Sequence, residues 1–149
     1  MRSKPYHLSQ NQKSSLKEKI KQVLDDECQE ADAVYLFGSF AGSAKFSDID
    51  IGLLLKEMPS DPTEYELNLE NNLERKIGYR FDIRILNTAP PGFCYDAIAA
   101  KQLLVDRDPD RRADFEGYML KKHFDFQYFR KRYLSEVLNA PLSFGKGKV

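Results

Sequence analysis

Two aspartates open an apolar run in the middle of this sequence. Asp48 and Asp50 begin the segment DIDIGLLL, residues 48–55, which has the length and composition of a buried strand. Because side chains alternate between the two faces of a strand, both carboxylates point the same way, while Ile49 and Ile51 point into the core. Acidic groups on a buried strand are unfavourable unless they are paired or bind a cation. The spacing therefore predicts a carboxylate pair that can hold a metal ion.

A glycine and a serine stand a short loop before this pair. The apolar run AVYLF, residues 33–37, has strand length and stops at Gly38-Ser39. A glycine at a strand end that leads into a short helix allows backbone N–H groups to approach an anion closely. The order of these residues predicts a phosphate grip at Gly38 and Ser39, followed by the two metal carboxylates. The alternative, in which the aspartates serve only as a turn pair, does not account for the preceding Gly-Ser.

A third acidic residue lies on a strand with strict alternation. In YRFDIRIL, residues 79–86, the apolar and charged side chains take turns, which predicts one apolar face and one charged face. The charged face carries Asp82 between Arg80 and Arg84. Taken alone, this strand is explained more simply by a solvent-exposed ladder of salt bridges between Asp82 and the two arginines. The arginines could hold the carboxylate or contact phosphate, and the sequence does not choose between these roles.

The residues Gly38-Ser39, Ala44 and Ser47-Asp48-Ile49-Asp50 together resemble the signature of the nucleotidyltransferase β superfamily. The chain is most similar to the minimal nucleotidyltransferases (MNT), many of which are the antitoxin half of a HEPN–MNT toxin–antitoxin pair. It departs from the family in the loop of residues 40–47, which is shorter than is common and lacks the Arg-Gly that usually follows the alanine.

The resemblance implies a magnesium-dependent nucleotidyltransferase that uses ATP. It implies that Asp48 and Asp50 hold two Mg²⁺ ions, and that a third carboxylate lies on the strand after the intervening helix, which is the position of Asp82. Asp48, Asp50 and Asp82 are therefore the candidate catalytic and metal-binding residues. By the same resemblance Gly38 and Ser39 are the candidate nucleotide-binding residues.

The resemblance also implies a partner and a reaction. An MNT antitoxin transfers AMP from ATP to a tyrosine of its HEPN ribonuclease toxin, and it binds that toxin in a hetero-oligomer. Two alternatives stay open: a small-molecule nucleotidyltransferase of the aminoglycoside-modifying kind, and a non-catalytic MNT-fold antitoxin that acts by binding alone. The first alternative usually needs additional C-terminal structure to hold its acceptor, for which little chain follows the predicted strands.

The pattern of elements predicts one α/β domain at residues 1–138, with a mixed sheet of about four strands, flanking helices packed on one side and a long C-terminal helix. Residues 1–8 are expected to be a loose lead-in, and residues 139–149 a flexible tail. The expected helices span about 9–30, 62–77, 93–101 and 110–138, and the expected strands 33–37, 48–55, 79–86 and 102–106.

The last predicted helix is rich in aromatic residues. One stripe at helical spacing predicts a face packed on the core, and it consists of Phe115, Met119, Lys122, Phe126, Phe129, Tyr133 and Val137. Phe124 and Tyr128 lie off this stripe, which favours a second apolar surface that contacts a partner protein.

Composition excludes some classes of function. The formal net charge of +0 argues against direct nucleic-acid binding, since proteins that hold a phosphate backbone usually carry a basic surplus. No apolar run approaches the length of a membrane span, and the basic N-terminus has no apolar core of a secretory signal behind it. Cys28 and Cys94 are too few and too far apart to predict a disulfide framework. We therefore expect a cytoplasmic protein without membrane contact.

Overall fold

The computed structural model describes residues 5–42 and 45–138 of the 149-residue chain. The expected tail at 139–149 and Ala44 of the motif lie outside these residues. The elements follow one another as α1 (Gln10–Glu27), β1 (Ala31–Phe37), α2 (Gly38–Ala41), β2 (Asp48–Leu55), α3 (Pro62–Ile77), β3 (Arg80–Ile85), α4 (Pro91–Ala99), β4 (Leu103–Asp106) and α5 (Pro109–Leu138).

The strands form one four-stranded sheet in the order β3-β2-β1-β4. β1 pairs antiparallel with β2 and with β4, whereas β2 and β3 run parallel. The parallel pair is joined through α3, since parallel strands need a long crossover connection. The mixed sheet and the long C-terminal helix confirm the predicted fold class.

Helices cover both faces of the sheet, so the expectation of helices on one side was wrong. On one face Ile20 and Leu24 of α1 and Leu73 of α3 belong to the larger core cluster. On the other face Ala97 of α4 and Met119 of α5 belong to a smaller cluster. The reason is visible in β1, whose residues are buried on both faces along nearly its whole length. A strand that is apolar on both faces needs a layer of structure on each side.

The helix ends follow their local sequence signals. Ser9 caps α1 through a capping box, and the side chain of Asp61 accepts a backbone hydrogen bond at the start of α3. Gly78 ends α3 in the left-handed region at φ 97. The first helix, α1, stops at Glu27, before the expected boundary near residue 30.

The described part of the N-terminal segment is not a loose lead-in. Tyr6 and Phe46 exchange two backbone hydrogen bonds, of 2.6 and 3.1 Å. The ring of Tyr6 also meets the rings of Phe46 and Tyr79. This segment therefore fastens the end of the loop that precedes β2, because Phe46 itself is buried in the larger core cluster.

The C-terminal helix extends beyond the sheet. Phe115 and Met119 in its first half pack on the smaller core cluster. Further along the same stripe, Phe126, Phe129 and Tyr133 are 64%, 65% and 60% exposed. The prediction that the whole stripe is core was wrong, because a helix of 30 residues is about 45 Å long and the sheet supports only its first half.

Two observations on the described residues bear on the environment of the protein. Cys28 and Cys94 are both buried free thiols. Among the helices in this part of the chain, none is long and apolar enough to cross a membrane.

Candidate active site

The three predicted aspartates come together on one face of the sheet. Asp50 and Asp82 are direct partners in the parallel pair of β2 and β3, and Asp48 is the partner of Arg80 two residues earlier. Neighbouring strands lie about 4.8 Å apart, and residues two apart on a strand share a face. The alternation predicted from the sequence therefore places all three carboxylates in one small patch at the start of β2.

The electrostatics of this patch favour a cation. Burial, followed by the negative charges of Asp82 and then Asp48, raises the pKa of Asp50 to about 6. A carboxylate that is desolvated among like charges holds its proton more tightly, unless a positive charge compensates.

Carboxylate oxygens are the donors that Mg²⁺ prefers, and this ion commonly keeps water and substrate phosphate in its remaining positions. As the described side chains stand, no group of three or more His, Cys, Asp or Glu residues forms a ready-made metal cage. The donor set of Asp48, Asp50 and Asp82 fits Mg²⁺ by its chemistry and its charge, with part of the coordination left to other ligands.

Gly38 lies directly against one of these carboxylates. A Cβ atom at this position would fall 2.0 Å from Oδ2 of Asp50, far inside van der Waals contact. The backbone of Gly38 also has a positive φ of 77°, which residues other than glycine rarely adopt. The structure thus brings the Gly-Ser turn next to the aspartates, and both Gly38 and Ser39 are exposed there.

The two arginines of β3 have different surroundings. Nε of Arg80 lies 3.9 Å from Oδ1 of Asp48, so Arg80 forms an ion pair with that carboxylate. The guanidinium of Arg84 stacks over the ring of Phe93, 4.6 Å from its centroid, and Phe93 meets Phe37 edge to face. Arg84 is therefore held on the same sheet face as the aspartates by an aromatic wall from α4 and β1.

The outer edge of β3 is closed by α3. Oε2 of Glu66 accepts the backbone N–H of Ile85, and Oε2 of Glu70 accepts that of Ile83, both at 2.8 Å. Burial raises the pKa of Glu70. These glutamates were not singled out in the sequence, although both lie on the α3 face that turns toward the strand. They fix the strand that carries Asp82 and leave it without a free edge for a further strand.

Two further side chains that the sequence analysis overlooked hold the α2 turn. Lys13 is only 4% exposed, and its ammonium donates to backbone carbonyls at the end of this turn. Gln102 donates to another carbonyl of the same turn. A signal for Lys13 was present: it falls three residues before Leu16, on the apolar stripe of α1 rather than on its charged side.

Solved structures of toxin–antitoxin complexes contain the same fold. A chain from the tri-AMPylated Shewanella oneidensis HEPN toxin in complex with MNT antitoxin is 21% identical, with a TM-score of 0.65 over 84% of this chain and 98% of that chain. A chain from a toxin–antitoxin crystal structure with AMP-PNP gives 22% identity and a TM-score of 0.66 over 81% and 97%. The MntA–HepT toxin–antitoxin gives 21% and 0.63 over 83% and 97%. At these identities the likeness establishes a common fold.

None of the curated proteins matches this chain. The family described as Polymerase beta, Nucleotidyltransferase matches residues 18–110. This match spans the Gly-Ser turn, all four strands and the three aspartates. Because it covers more than half of the 149 residues and contains the whole of the carboxylate patch, the chain belongs to the polymerase beta nucleotidyltransferase family.

Proposed function

We propose that this chain is an MNT-type antitoxin, a magnesium-dependent protein adenylyltransferase that transfers AMP from ATP to a tyrosine of a cognate HEPN ribonuclease toxin. The observation that carries the proposal is the convergence of Asp48, Asp50 and Asp82 beside Gly38 in a chain of this family. It is supported by the shared fold with an MNT antitoxin that is bound to a tri-AMPylated HEPN toxin.

In this proposal Asp48, Asp50 and Asp82 hold two Mg²⁺ ions, and the backbone of Gly38 and the hydroxyl of Ser39 contact the phosphates of ATP. When bound, the metal ions supply positive charge to the attacking and leaving oxygens of the phosphoryl group. The carboxylate of Asp50 is partly buried, which suits a fixed metal position, whereas the Asp48 side chain is 47% exposed and Asp82 is exposed as a residue. Asp82 is therefore the member of the patch that a macromolecular acceptor can reach.

The proposed transfer forms one bond and breaks one. The phenolic oxygen of the acceptor tyrosine attacks the α-phosphorus of ATP, and the bond from that phosphorus to the oxygen bridging the β-phosphate breaks. Pyrophosphate leaves with the electron pair, and the phenolic proton passes to the carboxylate of Asp82, acting as a general base. AMP remains on the tyrosine as a phosphodiester.

The toxin is proposed to bind the distal aromatic surface, which we define as Phe124, Phe126, Tyr128, Phe129 and Tyr133 of α5. All five rings are more than half exposed. Protein interfaces concentrate their binding energy in a few aromatic residues, and so many exposed rings on one helix are unusual on a surface that faces only water. In this proposal the bound partner brings the acceptor tyrosine to the carboxylate patch.

A mass measurement tests the proposal directly. The protein is purified with a candidate HEPN-type partner, defined as a small helical protein with an Arg-x4-His motif, and incubated with ATP and Mg²⁺. We expect the intact mass of the partner to rise by that of AMP residues, and the gain to disappear with EDTA or in the Asp48→Asn, Asp50→Asn double variant.

Three results would separate the alternatives. A complex that forms without any mass gain favours an antitoxin that acts by binding alone. Transfer of AMP to an aminoglycoside, with no complex and no modified partner, favours the small-molecule enzyme. A double variant that remains fully active contradicts the metal role of the aspartates.

The proposed setting is the cytoplasm, where buried free thiols such as Cys28 and Cys94 stay reduced.

A further inference from the structure

We propose that Lys13 and Gln102 are positioning residues for the nucleotide: they clamp the carbonyl end of the α2 turn and so fix Gly38 and Ser39 at the carboxylate patch. This inference rests on the proposed function, because that function assigns phosphate contacts to Gly38 and Ser39. It adds two residues that lie outside the Gly-Ser and Asp-x-Asp motifs, one on α1 and one directly before β4.

Lys13 reaches the turn from the opposite face of the sheet. Its Nζ donates to the carbonyl oxygens of Phe40 at 3.1 Å and Gly42 at 2.6 Å. The ammonium also lies over the rings of Phe40 and Phe46, 5.2 and 5.6 Å from their centroids. A buried charge is tolerated where such partners replace water, and a cation at the C-terminal end of a helix is favoured by the exposed carbonyls there.

Gln102 holds the turn from its other side. Its Nε2 donates to the carbonyl oxygen of Ala41 at 2.6 Å, while its own backbone carbonyl accepts the N–H of Leu36 at 2.9 Å. Lys17 donates to Oε1 of the same amide at 2.9 Å. Because a lysine can only donate, this contact determines which amide atom faces Lys17 and leaves the NH₂ group for Ala41. One residue thus ties the end of β1 to the end of α2, across Gly38.

The two side chains together satisfy three successive carbonyls, at residues 40, 41 and 42. At this end the N–H of Gly42 donates to the carbonyl of Ser39 at 3.2 Å, but a four-residue helix leaves the carbonyls that follow without helical partners. If the turn had to become ordered when ATP binds, that ordering would weaken the affinity. The clamp keeps the turn ordered before ATP binds. It does so in a loop that is shorter than is common in the family that the motif resembles.

The test compares three variants of the full chain. Lys13→Met keeps the length of the apolar stem and removes the ammonium. Gln102→Glu keeps the shape of the side chain and removes the donor to Ala41. Lys19→Met is the matched control, since Lys19 is an exposed lysine on the same helix. Calorimetry gives the dissociation constant for ATP with Mg²⁺, and steady-state transfer to the HEPN partner gives KM for ATP and kcat.

We expect Lys13→Met and Gln102→Glu each to weaken binding of ATP with Mg²⁺ by about tenfold, which corresponds to about 1.4 kcal/mol. The KM for ATP should rise by a similar factor with little change in kcat, and Lys19→Met should behave like the wild type. A residue that only stabilises the fold would lower the melting temperature and the active fraction, and would leave the dissociation constant of the folded fraction unchanged.

The outcomes distinguish this inference from the proposed function. If the wild type binds ATP and modifies its partner, and both clamp variants bind ATP as tightly as the wild type, the clamp is overturned and the proposed function stands. If the wild type binds no ATP in the presence of Mg²⁺, the proposed function is overturned and the clamp with it. If Lys13→Met does not fold, Gln102→Glu decides, because Gln102 lies in a partly exposed position.

Discussion

Replacing Gly38 by alanine should disable the site through a single methyl group. The new Cβ atom would lie 2.0 Å from Oδ2 of Asp50 and 2.9 Å from its Cγ, so the carboxylate has to move. The chain offers a matched control in Gly78, which also has a positive φ, of 97, but has no atom within 4 Å of the position of a Cβ. Both substitutions carry the same kind of backbone strain, and only one carries the collision.

The magnitudes can be separated with this pair. Left-handed backbone costs a residue other than glycine about 1–2 kcal/mol, which is the whole expected loss of unfolding free energy in Gly78→Ala. In Gly38→Ala the displaced Asp50 side chain adds about 1 kcal/mol, the cost of forcing a side chain off its rotamer. We therefore expect Gly38→Ala to be less stable than Gly78→Ala by about 1 kcal/mol in urea denaturation with EDTA present.

The effect on activity should be much larger than the effect on stability. A displacement of about 1 Å in a positioned catalytic group can cost about a hundredfold in rate. We expect Gly38→Ala to lose AMP transfer by at least about that factor, and to bind ATP with Mg²⁺ more weakly, while Gly78→Ala keeps both. If the two alanine variants have equal stability and equal transfer rates, Gly38 does not lie against Asp50 as described, and the assignment of the site fails.

Three further predictions follow from other contacts. Asp50→Asn should stabilise the metal-free protein at pH 8 by about 1 kcal/mol, after discounting for solvent screening. Because the pKa of Asp50 is raised to about 6, the wild type loses stability as the pH rises from about 4 through 6, and urea titrations with EDTA across this range check the prediction. The double variant Phe129→Ala, Tyr133→Ala should weaken the toxin complex at least tenfold in a pull-down titration and leave ATP binding unchanged. By contrast, Phe115→Ala, on the packed part of the same stripe, should lower the free energy of unfolding by about 2 kcal/mol. Asp32→Ala should cost about 1.5–3 kcal/mol of unfolding free energy, because Asp32 is buried and its charged partner Arg111 of α5 is only 38% exposed; a normal urea midpoint would contradict this.

The sequence was sufficient for the parts of the site that depend on local pattern. Alternation along β2 and β3 determines that Asp48, Asp50 and Asp82 avoid the core, and a glycine before a short helix marks the turn. The register between two strands is different, because it depends on which residues of two distant segments are paired and has no local signal in the sequence. The family resemblance assigned Asp82 to the site, but only the pairing shows that Asp82 stands opposite Asp50 and not opposite a neighbour.

The missed features share a physical cause. Lys13 and Asp32 are charged residues that the sequence places on the solvent side by type, yet both are buried, at 4% and 3% exposure, because each finds partners far away along the chain. The ammonium of Lys13 meets carbonyls near residue 41, and the carboxylate of Asp32 meets Arg111. Periodicity places Lys13 on the apolar stripe of α1, but the partners that both charges find lie far away along the chain and have no local signal.

The placement of α5 connects the two halves of the proposed function. Tyr35 is the partner of Gly52 on the sheet face that carries Asp50, and its hydroxyl donates to Glu116 of α5 at 2.8 Å. The first half of α5 is thus anchored on the same face as the aspartates, and the distal aromatic surface lies on the second half of that helix. A partner that docks on this surface is held on the side of the sheet from which Asp82 is exposed. An interface on the opposite face, against α1 and α3, would place the sheet itself between the acceptor tyrosine and the carboxylates.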